Sequence, residues 1–229
     1  MRISNKKNIF FDLDHTLWDF EKNSALAFET VLNKHSVNVD VSSFIELYVP
    51  VNLRYWELFR DEKITRDELR YGRIKEVFDV LQYEASDDLI DLLSVEYIHY
   101  LPKYNHLYDG AVELLDYLKP KYNLHIITNG FNGIQEGKLK NSNIHHYFIT
   151  VTNSDLAGCK KPNPKIYEYA LDAAKANKAD SIMIGDCIEA DVKGALNCGM
   201  DAIYFNEFGK ETPADIKQVN HLLELKNIL

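Results

Sequence analysis

The sequence of 229 residues has only three cysteines, carries fewer basic than acidic residues and contains no long apolar run. Cys159, Cys187 and Cys198 show neither C-x-x-C spacing nor paired histidines, so a disulfide framework and a cysteine-ligated zinc site both lack a basis, and a reducing compartment suits the chain. The 26 lysines and arginines stand against 35 acids, a formal charge of -9, which removes the electrostatic footprint that polymeric nucleic acid or an anionic membrane would need. No stretch nears the roughly 18 apolar residues of a membrane helix. Met1 to Asn8 is polar, and the apolar run after it is cut by Asp12 and Asp14, unlike a secretory signal, so the expected location is cytoplasmic. Internal repeats and low-complexity segments are also missing. An anionic substrate would have to be held by local groups.

With 46% hydrophobic and 27% charged residues, what remains is a globular chain with room for one core and a small second domain. Asn8-Ile9-Phe10-Phe11 reads as a buried strand that delivers acids at its C-terminal end. From Asn23 to about Pro102 apolar residues recur at helical spacing, as in Leu47, Val51, Tyr55 and Leu58, then Leu69, Ile74, Val77 and Leu81. After Asp109-Gly110 strand and helix patterns alternate, with strands expected at 124–128, 147–151, 181–184 and 202–205 and helices ending near Leu118 and Lys140 and at 164–174 and 189–197. This predicts an α/β fold: a Rossmann-like parallel sheet with helices on both faces, built from residues 1–16 and 103–229, with an all-helical domain, 17–102, inserted after the first strand. Ligands bind such sheets at the C-terminal edge.

Four short segments fall at predicted strand ends: Asp12-Leu13-Asp14-His15-Thr16, Thr128-Asn129-Gly130, Lys160-Lys161-Pro162, and Gly185-Asp186 through Asp191. Each has a plainer reading alone, as a cap, a turn or a solvated loop. Together they gather Asp12, Asp14, Asp186 and Asp191 in one cleft, a costly grouping unless a hard divalent cation and an anionic ligand complete it. Oxygen-only ligation suits Mg²⁺. Lys161 adds fixed positive charge and the Thr128 hydroxyl a donor, which is what a phosphoryl group requires. His15 reads as a loop residue and Cys187 as a small filler beside the metal site.

These segments resemble the four motifs of the haloacid dehalogenase superfamily, matched here by Asp12-Leu13-Asp14-His15-Thr16-Leu17, Thr128, Lys161 and Gly185-Asp186-x-x-x-x-Asp191. The helical insertion stands where this superfamily places its C1-type cap. The resemblance implies Asp12 as nucleophile, Asp14 as general acid and base, and Thr128 and Lys161, with Asn129, as phosphoryl-binding groups. It implies Mg²⁺ held by Asp12, the Asp14 carbonyl and Asp186, with Asp191 in support. The second acid, Asp14, sets the chain apart from the metal-free dehalogenases of the same superfamily.

Val51-Asn52 with Trp56, Ile64-Thr65, Gly72-Arg73 and Ile126 to Phe131 further resemble the pyrimidine 5'-nucleotidase branch, which implies a nucleoside monophosphate such as dUMP, dTMP or UMP as substrate. Trp56 and Arg73 are the substrate-reading candidates, and Trp18, Asn52 and Tyr71 are further side chains that could face the cleft. Sugar-phosphate or phosphoglycolate phosphatase, phosphomutase and non-catalytic binding protein are the alternative readings. The expected partner is a small phosphorylated molecule, and the expected state is a monomer or weak homo-oligomer.

Overall fold

Apolar runs without the alternation of a half-exposed strand need cover on both faces. In the structure, a computed structural model describing residues 5–229, such runs form the sheet, and Met1 to Ser4 of the polar N-terminus lie outside the described residues. The strands are β1 (Asn8–Phe11), β2 (Asn123–Thr128), β3 (Thr150–Asn153), β4 (Ser181–Gly185), β5 (Asp201–Phe205) and β6 (Gln218–Val219). All pair in parallel in the order β3-β2-β1-β4-β5-β6, with helices on both faces. Phe11 at the end of β1 stands opposite Ile126 and Ile184, so β1 is central and its C-terminus lies between those of β2 and β4. The chain runs from β1 outward through β2 to β3 and returns to β4 on the other side. That reversal opens a crevice at the C-terminal edge, directly after β1.

Helices α5 (Ala111–Leu118), α6 (Asn132–Asn141), α7 (Ser154–Ala157), α8 (Pro164–Ala174) and α9 (Gly194–Cys198) follow the strands. Ile166, Tyr167 and Ala170 of α8 and Ala195 of α9 pack with Phe10, Ile127 and Met183 of the sheet into one buried cluster. Two expectations are corrected. The strand expected at 147–151 is β3 at Thr150–Asn153, because Tyr147 turns in a 3-10 helix (His145–Tyr147) and donates its hydroxyl to Asp116 at 2.6 Å, while Ile149 is exposed. The helix expected at 189–197 is a π-helical turn, Ile188–Lys193, followed by the short α9. The two-residue β6 is too short to leave a period in sequence.

The chain divides into two compact units, one of residues up to Phe20 with Asn105–Leu229, the other Glu21–Tyr104. The division falls four residues after the expected start of the insertion because Leu17 and Trp18 are fully buried and bonded to the first unit: Tyr108 N–H donates to Leu17 O, and Trp18 pairs with Asp14 and Leu107. The second unit is formed by α1 (Phe20–Lys34), α2 (Val41–Arg60), α3 (Arg66–Val80) and α4 (Asp87–Tyr100). Local chemistry sets their starts: Asp40 accepts from Ser43 N–H, Thr65 and Glu68 form a capping box, and Ser86 accepts from Leu89 N–H. Its interior stacks Phe28 on Tyr97 with ring centroids 4.1 Å apart, and Phe44 and Tyr48 pack on Phe28. The buried stripe of α2 is Phe44, Tyr48 and Asn52, one position off the spacing of Leu47, Val51, Tyr55 and Leu58, which are only half-buried. Helical periodicity allows either stripe, and the one that meets Phe28 and Tyr97 faces inward.

Candidate active site

The end of β1 is pinned: the Asp12 N–H donates to Ile184 O at 2.9 Å, continuing the ladder one residue past the strand. The chain then turns sharply, with the N–H groups of Thr16, Leu17 and Trp18 all directed at Leu13 O. His15 takes a φ of 60°, a left-handed position that histidine tolerates better than most side chains, and its ring packs on Phe20 at 4.9 Å. The loop role expected for His15 matches this geometry. The turn sends Asp12 and Asp14 toward different partners.

Asp12 meets Lys161, whose ammonium donates to Asp12 Oδ1 at 2.7 Å, Asp191 Oδ1 at 2.6 Å and Ile127 O at 2.8 Å. Those bonds use all three donors of the lysine. Lys161 is 2% exposed whereas Lys160 is half-buried, so the lysine next to Pro162 is the one in the site. Burial alone would lower the Lys161 pKa, but the Asp12 and Asp191 charges outweigh it and raise it. Burial pushes Asp12 well above the usual carboxylate range, with Lys161 opposing and Asp191 and Asp186 adding to the rise. Asp186 follows the end of β4 and is pushed up to about 7, by burial first and then by Asp191. Its Oδ1 accepts from Thr16 Oγ1 at 3.2 Å. A Cβ at Gly185 would lie 2.3 Å from the Asp191 carboxyl carbon, so glycine there lets Asp191 close against the strand end.

Carboxylate oxygens of Asp12, Asp186 and Asp191 lie within 4.8 Å of one another, the group able to hold a metal ion among the described residues. Three carboxylates against one ammonium, with oxygen donors throughout, fit a hard divalent cation such as Mg²⁺. Asp191 is the least free of the three, since Lys161 holds one oxygen and the Cys187 N–H donates to the other at 3.0 Å. Asp12 and Asp186 are therefore the better direct ligands, with Asp191 anchoring the lysine. Cys187 itself accepts from Ala190 N–H and starts the π-helical turn that carries Asp191. The carboxylate of Asp14 lies outside this group and bonds Lys138 and Gln135.

Thr128 closes β2. Its Oγ1 accepts from Gly130 N–H at 3.1 Å and from Gln135 Nε2 at 2.7 Å, which occupies both lone pairs and leaves the hydroxyl proton to be donated. Asn129 is committed elsewhere: its amide takes the Lys161 N–H at 2.7 Å and donates to Lys161 O at 3.0 Å. This residue braces the lysine loop.

The side chains expected to read a substrate separate. Trp18 is fully buried in the sheet unit, its ring 4.4 Å from Lys138 Nζ, so it is a packing residue. In the helical unit Arg73 is 2% exposed and donates to Asn52 Oδ1 at 2.8 Å, and Tyr71 donates to Asp87 at 2.5 Å. Trp56 is half-buried with its ring edge-on to Phe59. Sequence reasoning missed Thr16, Gln135 and Lys138. Thr16 lies inside the first segment, and only its bond to Asp186 gives it a role. The last two lie three residues apart on α6, a helix with no motif of its own.

A family model described as haloacid dehalogenase-like hydrolase matches residues 6–199. The pyrimidine 5'-nucleotidases PynA of Streptococcus pneumoniae and YjjG of Escherichia coli are 31% and 30% identical, covering 97% and 96% of this chain and 93% and 96% of theirs. The glyceraldehyde 3-phosphate phosphatase of Methanothermobacter thermautotrophicus is 30% identical over 97% of this chain and 99% of its own. Among solved structures, magnesium-bound HAD-hydrolase YfnB of Bacillus subtilis superposes with a TM-score of 0.87 at 27% identity, covering 98% of both chains.

Proposed function

This chain belongs to the haloacid dehalogenase-like hydrolase family, and from that premise we propose that it is a magnesium-dependent 5'-nucleotidase that removes phosphate from pyrimidine nucleoside monophosphates. The observation that carries the phosphatase reading is Asp12 held by Lys161 beside Asp186 and Asp191, with Asp14 two residues on and unattached to that cluster. Mg²⁺ held by Asp12 and Asp186 would withdraw charge from the phosphoryl oxygens, so that an anion can approach an anion.

The chain's own groups do the rest. Lys161 fixes the plane of the Asp12 carboxylate through Oδ1 and adds positive charge where the phosphoryl group must sit. Thr128 directs its one free proton to a phosphoryl oxygen. Asp12 attacks phosphorus in line: its O–P bond forms as the ester P–O bond breaks, and Asp14 gives its proton to the departing alkoxide. In the second step Asp14 takes a proton from water, whose oxygen bonds phosphorus while the Asp12–phosphorus bond breaks, releasing inorganic phosphate and restoring both acids.

The full-length likeness to two pyrimidine 5'-nucleotidases supports the substrate. The comparable likeness to a glyceraldehyde 3-phosphate phosphatase favours a second reading, a triose-phosphate phosphatase on the same core. Phosphate release from UMP, dUMP and dTMP, purine monophosphates, glyceraldehyde 3-phosphate, sugar phosphates and phosphoglycolate, with Mg²⁺ present, separates them. The highest kcat/KM is expected on a pyrimidine monophosphate. A preference for the triose phosphate would replace the nucleotidase reading and leave the phosphatase one standing.

A further inference from the structure

Two buried side chains of α6 stand against Asp14 and have no part in the steps above. Lys138 Nζ donates to Asp14 Oδ1 at 2.6 Å with 3% of its side chain exposed. Gln135 Nε2 donates to Asp14 Oδ2 at 2.9 Å and also to Thr128 Oγ1 at 2.7 Å. Being three residues apart, the two lie on one face of the helix and approach the carboxylate together. Their placement is built in from both sides. The Lys138 ammonium sits 4.4 Å from the Trp18 ring and 5.3 Å from that of Phe20. A Cβ at Gly130 would lie 2.4 Å from the Gln135 amide carbon, so the glycine of Thr128-Asn129-Gly130 makes room for this glutamine.

A lysine enclosed this far from water is unfavourable unless its partner must be held, and methionine would fill the same space without a charge. We infer that Lys138 and Gln135 are positioning residues that clamp the Asp14 carboxylate, one through each oxygen, and through Gln135 tie its place to that of Thr128. The inference rests on the acid and base role proposed above for Asp14. A carboxylate oxygen has about two lone-pair sites, so each oxygen can accept one clamp hydrogen bond and still exchange a proton with alkoxide or water. Released from the clamp, Asp14 is free to rotate, and a displacement of about 1 Å can cost roughly a hundredfold in rate. The shared Gln135 amide makes the proton donor and the phosphoryl-binding hydroxyl a single rigid unit.

The test is a mutant cycle on the full chain with Mg²⁺, using Lys138→Met, Asp14→Asn and their combination, with dUMP and para-nitrophenyl phosphate as probes. Lys138→Met should lower kcat on dUMP by about tenfold to a hundredfold with KM nearly unchanged. Single-turnover phosphorylation by para-nitrophenyl phosphate, whose leaving group departs without a proton, should be spared. In the Asp14→Asn background the second substitution should cost nothing more, because Lys138 acts only through Asp14. Additive losses, or equal losses with both probes, would overturn the inference. If Lys138→Met does not fold, Lys138→Leu carried through the same cycle decides by the same criteria, since it removes the bond to Asp14, whereas a change at Gln135 would also remove one to Thr128. Full turnover in Asp14→Asn would remove the proposed role of Asp14 itself. An inactive Asp14→Asn beside fully active Lys138→Met and Gln135→Leu would remove the clamp alone.

Discussion

The C-terminal edge of the sheet and the interior of the helical unit bury polar groups in opposite ways. At the sheet edge each buried charge faces another: Lys161 lies between Asp12 and Asp191, and Lys138 against Asp14. In the helical unit Arg73 is equally buried, yet it bonds the neutral amide of Asn52 and lies 5.8 Å and 5.2 Å from the rings of Tyr48 and Tyr97. Other charges of that unit pair at its surface, as Lys34 does with Glu96 and Arg54 with Glu76. Three carboxylates gathered against one ammonium, as Asp12, Asp186 and Asp191 are around Lys161, oppose folding and therefore signal chemistry. An aromatic interior around one cation is what packing and orientation need. The sheet unit should thus carry the reaction, and we propose that the helical unit chooses the substrate.

Substitutions that strike each unit separately put that division at risk. Asp12→Asn should lower kcat at least about a thousandfold while circular dichroism stays native, since the amide keeps the shape and loses the nucleophile. Measurable wild-type turnover in that variant would remove Asp12 from the chemistry. Chelation of divalent metal should abolish activity on every ester alike, and added Mg²⁺ should restore it, because the acids that would hold the cation belong wholly to the sheet unit. Activity surviving excess chelator would break the metal assignment.

On the other side, Phe44→Ala should destabilise by about 3 to 5 kcal/mol in denaturant titrations, the usual cost of emptying a buried aromatic site. Trp56→Ala, at a half-buried position, should cost about 1 to 3 kcal/mol in kcat/KM for the preferred nucleotide and much less for para-nitrophenyl phosphate. Equal losses on both would deny the helical unit its selective role.

The smallest effect concerns acid stability. Burial lowers the His125 pKa from 6.5 to about 4 in the folded protein. The unfolded chain therefore binds the proton first, so the contribution is complete above about 6.5 and is lost as pH falls through the interval down to about 4. His125→Gln should flatten the fall in melting temperature between pH 7 and pH 5. An unchanged slope would show that other groups govern it.

How much of this was visible in the chain depends on the range of the interaction. The strands of Ile9-Phe10-Phe11 and Ile182-Met183-Ile184 were legible because a strand covered on both faces is apolar throughout, and the acids at their ends because the chain must leave the sheet there. The helix starts at Asp40, Thr65 and Ser86 follow from side chains reaching amides three residues on. Spacing and local chemistry, together with a likeness carried by Asp12, Asp14, Thr128, Lys161 and Asp186, were thus enough to foresee the parallel sheet, its helical insertion and the main candidate acids.

What the fold alone decided are pairings across long stretches of chain. Whether α2 turns Phe44 and Tyr48 or Leu47 and Val51 inward depends on the volume offered by Phe28 and Tyr97, which no period in α2 encodes. The Asn129 amide meets the Lys161 backbone, 32 residues away, a pairing that its own segment does not announce. Lys138 lies 124 residues from Asp14 on an unremarked helix, and only the return of β2 beside β1 brings the two together. A hydrogen bond is satisfied by proximity in space, and the chain's own order carries no record of which distant partner will arrive.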